Sequence, residues 1–139
     1  MNDDAHAPLS EQRNESHDAT STFRSELESL FEELTGDGSS REWGLQAAIA
    51  IARFRKQHRQ GPTFTELFEE IVIFPGAEET THTPPRHVRE LTRRFRHHVA
   101  VHWRRLGWID WNHNTRSLRT GRKFRVASRA WIQSQQLEP

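Results

Sequence analysis

Between Arg86 and Trp131 the chain sets thirteen arginine or lysine side chains against two acids, Glu90 and Asp110, a formal +11 before any histidine is protonated. Cations at this density hold phosphate or carboxylate groups through charge-assisted N–H donors, and they repel one another unless a polyanion faces them. Duplex DNA is the commonest polyanion that a helix followed by a hairpin fits, so double-stranded DNA is the expected partner.

Other chemistries have weaker signals. His98 and His102 stand one helical turn apart beside His97, but no glutamate lies in the intervening turn, no third ligand has diagnostic spacing and the chain has no cysteine. Neither a metal site nor a cofactor is expected. Thr120-Gly121-Arg122-Lys123 has residue types of a phosphate loop without its spacing or its strand-to-helix context, and reads as the tip of a hairpin. Glu66, Glu69 and Glu70 read as acids on a helix surface, and there is no nucleophile elbow or dinucleotide fingerprint, so an enzyme is not expected. Five tryptophans add an alternative, because aromatic rings between cations stack on single-stranded bases. Core packing is the expectation for Trp43, Trp111 and Trp131, whereas Trp103 and Trp108 are candidates for exposure.

Composition bounds these readings. A chain of 139 residues with 33% hydrophobic and 28% charged side chains suits one small domain with polar flanks. No apolar run approaches membrane-spanning length, and Met1-Asn2-Asp3-Asp4 lacks the basic-then-apolar order of a secretory signal. A cytoplasmic protein, associated with the nucleoid when DNA-bound and with no membrane partner, is expected. Residues 1–40 hold ten acids against Arg13 and Arg24, a net −8, while the other 99 residues carry a net +9. That division is typical of an acidic arm on a nucleic-acid-binding body.

The elements that must carry the cations follow from spacing. Residues 1–21 have almost no large apolar side chains and are expected to form a disordered acidic tail. Residues 22–36 form an amphipathic acidic helix with Phe23, Leu27, Leu30, Phe31 and Leu34 on one face and Gly36 as its stop. This helix can dock on its own domain, pair with a second copy to give a homodimer, or bind a protein partner. A second helix opens at Ser39, whose spacing to Glu42 is that of a capping box, and carries Leu45, Ala48, Ile49, Ala52 and Phe54 inward. Its basic end, Arg53, Arg55, Lys56 and Arg59, suits the helix dipole. Thr63 and Glu66 cap a third helix with Phe64, Leu67, Phe68 and Ile71 inward, and no periodicity claims Pro75 to His82. Thr83-Pro84 starts a long helix whose stripe is Val88, Leu91, Phe95, Val99, His102 and Leu106. Gly107 ends it. Trp108-Ile109-Asp110-Trp111 then alternates as a strand, residues 112–117 turn, and Lys123-Phe124-Arg125-Val126 alternates as the returning strand.

This order, a helix over 40–59, another over 63–72, a basic helix over 84–106 and a hairpin, resembles the winged helix-turn-helix fold. The resemblance spans about residues 40–128, within a domain of 40–135. Its most specific pieces are Gly61-Pro62-Thr63-Phe64-Thr65-Glu66-Leu67 and Arg105-Leu106-Gly107-Trp108-Ile109. The expected fold class is mainly α with a small β-hairpin, a winged helix-turn-helix with an extra N-terminal amphipathic helix. The resemblance implies a recognition helix presenting Arg86, His87, Arg89, Glu90, Arg93, Arg94 and His97 to a major groove. It places Arg116, Arg119, Arg122 and Lys123 in a wing on the flanking backbone or minor groove. The implied function is sequence-specific DNA binding in transcriptional regulation. Alternatives are a protein-interaction adaptor and an accessory DNA-binding factor of a replication, partition or mobile-element complex. On the sequence, Arg89→Ala and Arg93→Ala are expected to lower both affinity and specificity, and Arg119→Ala to lower affinity for every duplex, as read by binding to cognate and random DNA.

Overall fold

A computed structural model describes residues 21–72 and 84–137; residues 1–20 of the expected tail over 1–21, the polar stretch from Pro75 to His82 and the Thr83 cap lie outside the described residues. Within them the chain is mainly helical. Helix α1 covers residues 21–35, followed by α2 (Ser40–His58), α3 (Phe64–Ile71), α4 (Arg86–Arg105), β1 (Ile109–Asp110), β2 (Arg119–Thr120) and α5 (Arg122–Leu137). The strands pair antiparallel, Ile109 opposite Thr120 and Asp110 opposite Arg119.

Local chemistry accounts for most boundaries. Gly36 N donates to Glu32 O at 2.7 Å to close α1, and a Cβ on Gly36 would overlap that carbonyl oxygen. The capping box of α3 forms in full: Thr63 N donates to Glu66 Oε1 at 2.8 Å and Glu66 N donates to Thr63 Oγ1 at 3.1 Å. The box expected at Ser39 does not form, because the Ser39 hydroxyl instead donates to the Glu33 carbonyl and ties the α1–α2 turn together. Helix α4 ends where Gly107, at φ 89°, reverses the chain in the left-handed region open to glycine.

The returning strand expected over Lys123–Val126 is instead the start of α5. Four alternating residues fit a helix as well as a strand, and the ladder is used up by then. Gly121 N donates to Trp108 O at 2.7 Å, and Lys123 N donates to Gly107 O at 2.9 Å, which launches the helix.

Trp103, fully buried, lies at the centre of the core. Its ring stacks on Phe68 with centroids 5.4 Å apart, and its Nε1 donates to Leu34 O at 2.9 Å. Leu34 and Leu27 are buried beside it while Phe23, Leu30 and Phe31 pack against the same core. Of the arrangements open to the first helix, the structure shows docking on its own domain. The inward stripe of α4 is centred on Phe95, Val99, Ala100 and Trp103, with Val88, Leu91, His102 and Leu106 half-buried at its margins.

The inward face of α2 is rotated from the expected stripe. Gly44, Ala47, Ala48 and Ile51 are buried, Leu45, Ala52 and Phe54 are half-buried, and Ile49 is exposed. Small side chains win this face because the buried Trp108 ring lies against Gly44, where a Cβ would overlap ring atom Cδ1. Alanine for glycine in an open helix stabilises by about 1 kcal/mol. Gly44→Ala is expected to do the reverse and cost about 1–3 kcal/mol, measured by urea unfolding.

Candidate nucleic-acid interface

Helix α4 faces two ways. Arg86, Arg89, Arg93, His97 and Arg104 are exposed; at 100° per residue Arg86, Arg93, His97 and Arg104 lie within about 40° of one another, turned away from Phe95 and Val99, with Arg89 at the margin of this row nearest Trp103. Beside this row lies a groove of about 740 Å³ between α4, the N-terminus of α3 and the loop joining β1 to β2. Arg93, Arg94, Arg96, His97 and His98 line it from α4, Thr63 to Thr65 from α3, and Trp111 to Thr115 with Ser117 and Leu118 from the loop. Among the described residues no carboxylate lines it. Its floor is aromatic: Phe64 meets Trp111 edge-on at 5.2 Å and His97 at 6.4 Å, and the Arg104 guanidinium sits 4.5 Å above the Trp111 ring.

Two carboxylates hold the loop in place. Glu66, already closing the α3 capping box, also accepts from Arg116 Nη1, which latches the loop to α3. Its pKa is lowered chiefly by the Thr63 backbone hydrogen bond, with the Thr63 hydroxyl and Arg116 outweighing partial desolvation. Asp110 accepts from Arg104 Nε at 2.9 Å and from Arg119 Nη2 at 3.0 Å, joining the C-terminus of α4 to both strands. Desolvation raises the Asp110 pKa, but the Arg119 hydrogen bond, the Trp111 N–H and both guanidinium charges outweigh it, and the net shift is downward.

Further bonds stiffen the loop. Arg55 Nη1 donates to Leu118 O at 2.8 Å, and Asn112 N donates to Ser117 Oγ at 2.9 Å. Gly61 N donates to Arg116 O at 3.0 Å where a Cβ would overlap Leu118 O. Arg55 thus does more than match the helix dipole.

The expected site residues divide accordingly. Arg93, Arg94 and His97 line the groove, and Arg86 and Arg89 extend the same row, Arg86 with an exposed ion pair to Glu90 at 3.3 Å. His87 turns toward α1, where it lines a small cavity with Arg24 and Leu91. Arg116 and Arg119 belong to the loop and its strand but are matched by the protein's own carboxylates. Arg122 and Lys123 are not in a wing; they open α5, and the Lys123 ammonium lies 5.2 Å from the Trp108 ring centroid.

The sequence reading also missed parts of the groove. Arg96, His98, Phe64 and His113 line it, and the apex is Asn112 to Thr115 rather than a basic tip. The turn-forming residues at 112–117 were the available signal for that apex. Arg96 is half-buried, and burial lowers its pKa against the opposing charge of Glu69.

Three of the five tryptophans depart from the expectation, while Trp43 and Trp111 pack against the core as expected. Trp103 and Trp108 are buried, Trp43 and Trp111 are half-buried, and Trp131 is 64% exposed. The cause is the Gly44 contact for Trp108 and the Leu34 bond for Trp103. Among the described residues no three His, Asp or Glu side chains cluster as a metal site, and no helix is long and apolar enough to cross a membrane. Comparison of the chain with protein-family models, curated proteins and solved structures finds no match.

The Asp110 latch has a definite pH signature. With its folded pKa below the ordinary 3.8, the unfolded chain binds more protons in this window, so the contribution is present above the ordinary value and lost as pH falls through the lowered one. The stability gap between the protein and Asp110→Asn is expected to be level near neutral pH and to close below about pH 4, followed by urea unfolding across pH.

Proposed function

We propose that the chain binds duplex DNA in a sequence-specific manner, as a transcriptional regulator or as an accessory factor of a replication, partition or mobile-element complex, and that it is not an enzyme. The observation that carries this reading is the row Arg86, Arg89, Arg93 and His97 running beside a groove that, among the described residues, no carboxylate lines. A duplex supplies a matching row of phosphates, and the exposed face of a 20-residue helix is of a size to lie in a major groove. In this proposal α2, α3, α4 and the β1–β2 hairpin serve as a winged helix-turn-helix, with α4 as recognition helix and residues 111–118 as the wing.

The latches redistribute the work. Arg116 and Arg119 must exchange a carboxylate for a phosphate, so they contribute less new binding than free cations would. Exposed pairs such as Arg119–Asp110 stabilise by about 0.2–1 kcal/mol, little enough for a phosphate to compete. The wing then acts by shape, presenting Asn112, His113, Asn114 and Thr115 to the flanking DNA. Burial of Trp103 and Trp108 removes two of the platforms that favoured single strands, and the charge excess argues against a purely protein-binding adaptor.

Selection of bound duplexes from a random pool, repeated across salt, tests the proposal. A consensus should emerge, and affinity should fall linearly with salt on logarithmic axes. On the selected duplex, Arg89→Ala and Arg93→Ala are expected to cost about 1–3 kcal/mol each and less on random DNA. Arg119→Ala is expected to cost less than either on both. Equal losses on selected and random duplexes would remove base reading, and no duplex binding even at low salt would end the proposal.

A further inference from the structure

A second groove, of about 600 Å³, runs along the other side of α4 and is bounded by α1. Its walls are Leu27, Phe31, Leu91 and Phe95, its α1 lip carries Glu28 and Glu32, and its α4 lip carries Arg94 and His98, with Arg24 at one end. Among the described residues neither glutamate has an ion pair.

The chain also carries a helix suited to this groove. Helix α5 has Arg122, Lys123, Arg125 and Arg129 and no acidic residue. At 100° per residue, Phe124, Ser128, Trp131, Ile132 and Gln135 share a face, with Arg125 and Arg129 along its edge. The face starts half-buried on its own domain at Phe124 and Ser128 and continues into solvent, leaving Trp131 64% and Ile132 46% exposed.

We propose that the exposed end of α5 seats Trp131 and Ile132 in the α1–α4 groove of a second copy of this chain, and that the second copy reciprocates. A basic helix with an apolar face meets an apolar groove with an acidic lip, the helix-in-groove mode of recognition. Arg129 faces Glu28 and Glu32, while the Trp131 indole takes the α4 side, where Arg94 can stack on its face. Each copy offers one helix end and one groove, so a two-fold exchange closes both and leaves no open chain of contacts. The inference does not rest on DNA binding: the row Arg86, Arg89, Arg93 and His97 lies on a different face of α4, and only Arg94 and His98 border both grooves.

Sedimentation of the full chain over a range up to about 100 µM should show a monomer–dimer equilibrium. Trp131→Ala, Glu32→Arg and Arg129→Glu should each weaken it at least about tenfold with unchanged helical content by circular dichroism, and Glu32→Arg combined with Arg129→Glu should recover part of the loss. Because the chain has no cysteine, a Glu32→Cys preparation mixed with an Arg129→Cys preparation reports the contact directly. Mixed disulfides should exceed both like-with-like products. A chain that stays monomeric throughout the range, or disulfides that join 32 to 32 or 129 to 129 in preference, would overturn the proposal.

Discussion

The buried indole of Trp103 sets the rest of the molecule. It stacks on Phe68 of α3, donates to the last turn of α1 at Leu34 and belongs to α4, so one side chain ties three helices together. A small domain without disulfides depends on packing for such ties. With Trp103, Phe95 and Val99 inward, the 3.6-residue repeat turns Arg86, Arg93 and His97 toward the other side of α4.

Charge is managed by position more than by number. Asp110 and Glu66 each engage guanidinium groups that anchor the β1–β2 loop, whereas the acids of α1 lie along a separate groove. Cations near the loop are thus held by the protein itself, and the middle of α4 faces a groove that no carboxylate lines among the described residues. Surface pairs of this kind contribute little to stability, but they orient the loop against α3 and α4, which long-range charge alone would not do. Their role is geometric.

Much of this was legible in the residues. The three central helices were readable because their apolar side chains recur every three or four positions and because Thr63 and Glu66 stand at capping-box spacing. The groove-lining Arg93, Arg94 and His97 were found by the same repeat. The C-terminal helix was not, because Lys123 to Val126 alternates over too few residues to separate a strand from a helix. The paired state of Arg116 and Arg119 was hidden as well, since Glu66 lies 50 positions from Arg116 and no local rule joins them.

The sequence by itself determined the charge separation along the chain, the main helices and the position of the loop after Gly107, because these follow from composition and near-neighbour spacing. Tertiary structure decided which tryptophans are covered, which arginines are already matched by carboxylates and which grooves flank α4. Those outcomes depend on close approaches between distant segments, Gly44 against Trp108, Leu34 against Trp103 and Gly61 against Leu118, and such contacts have no signature in local periodicity.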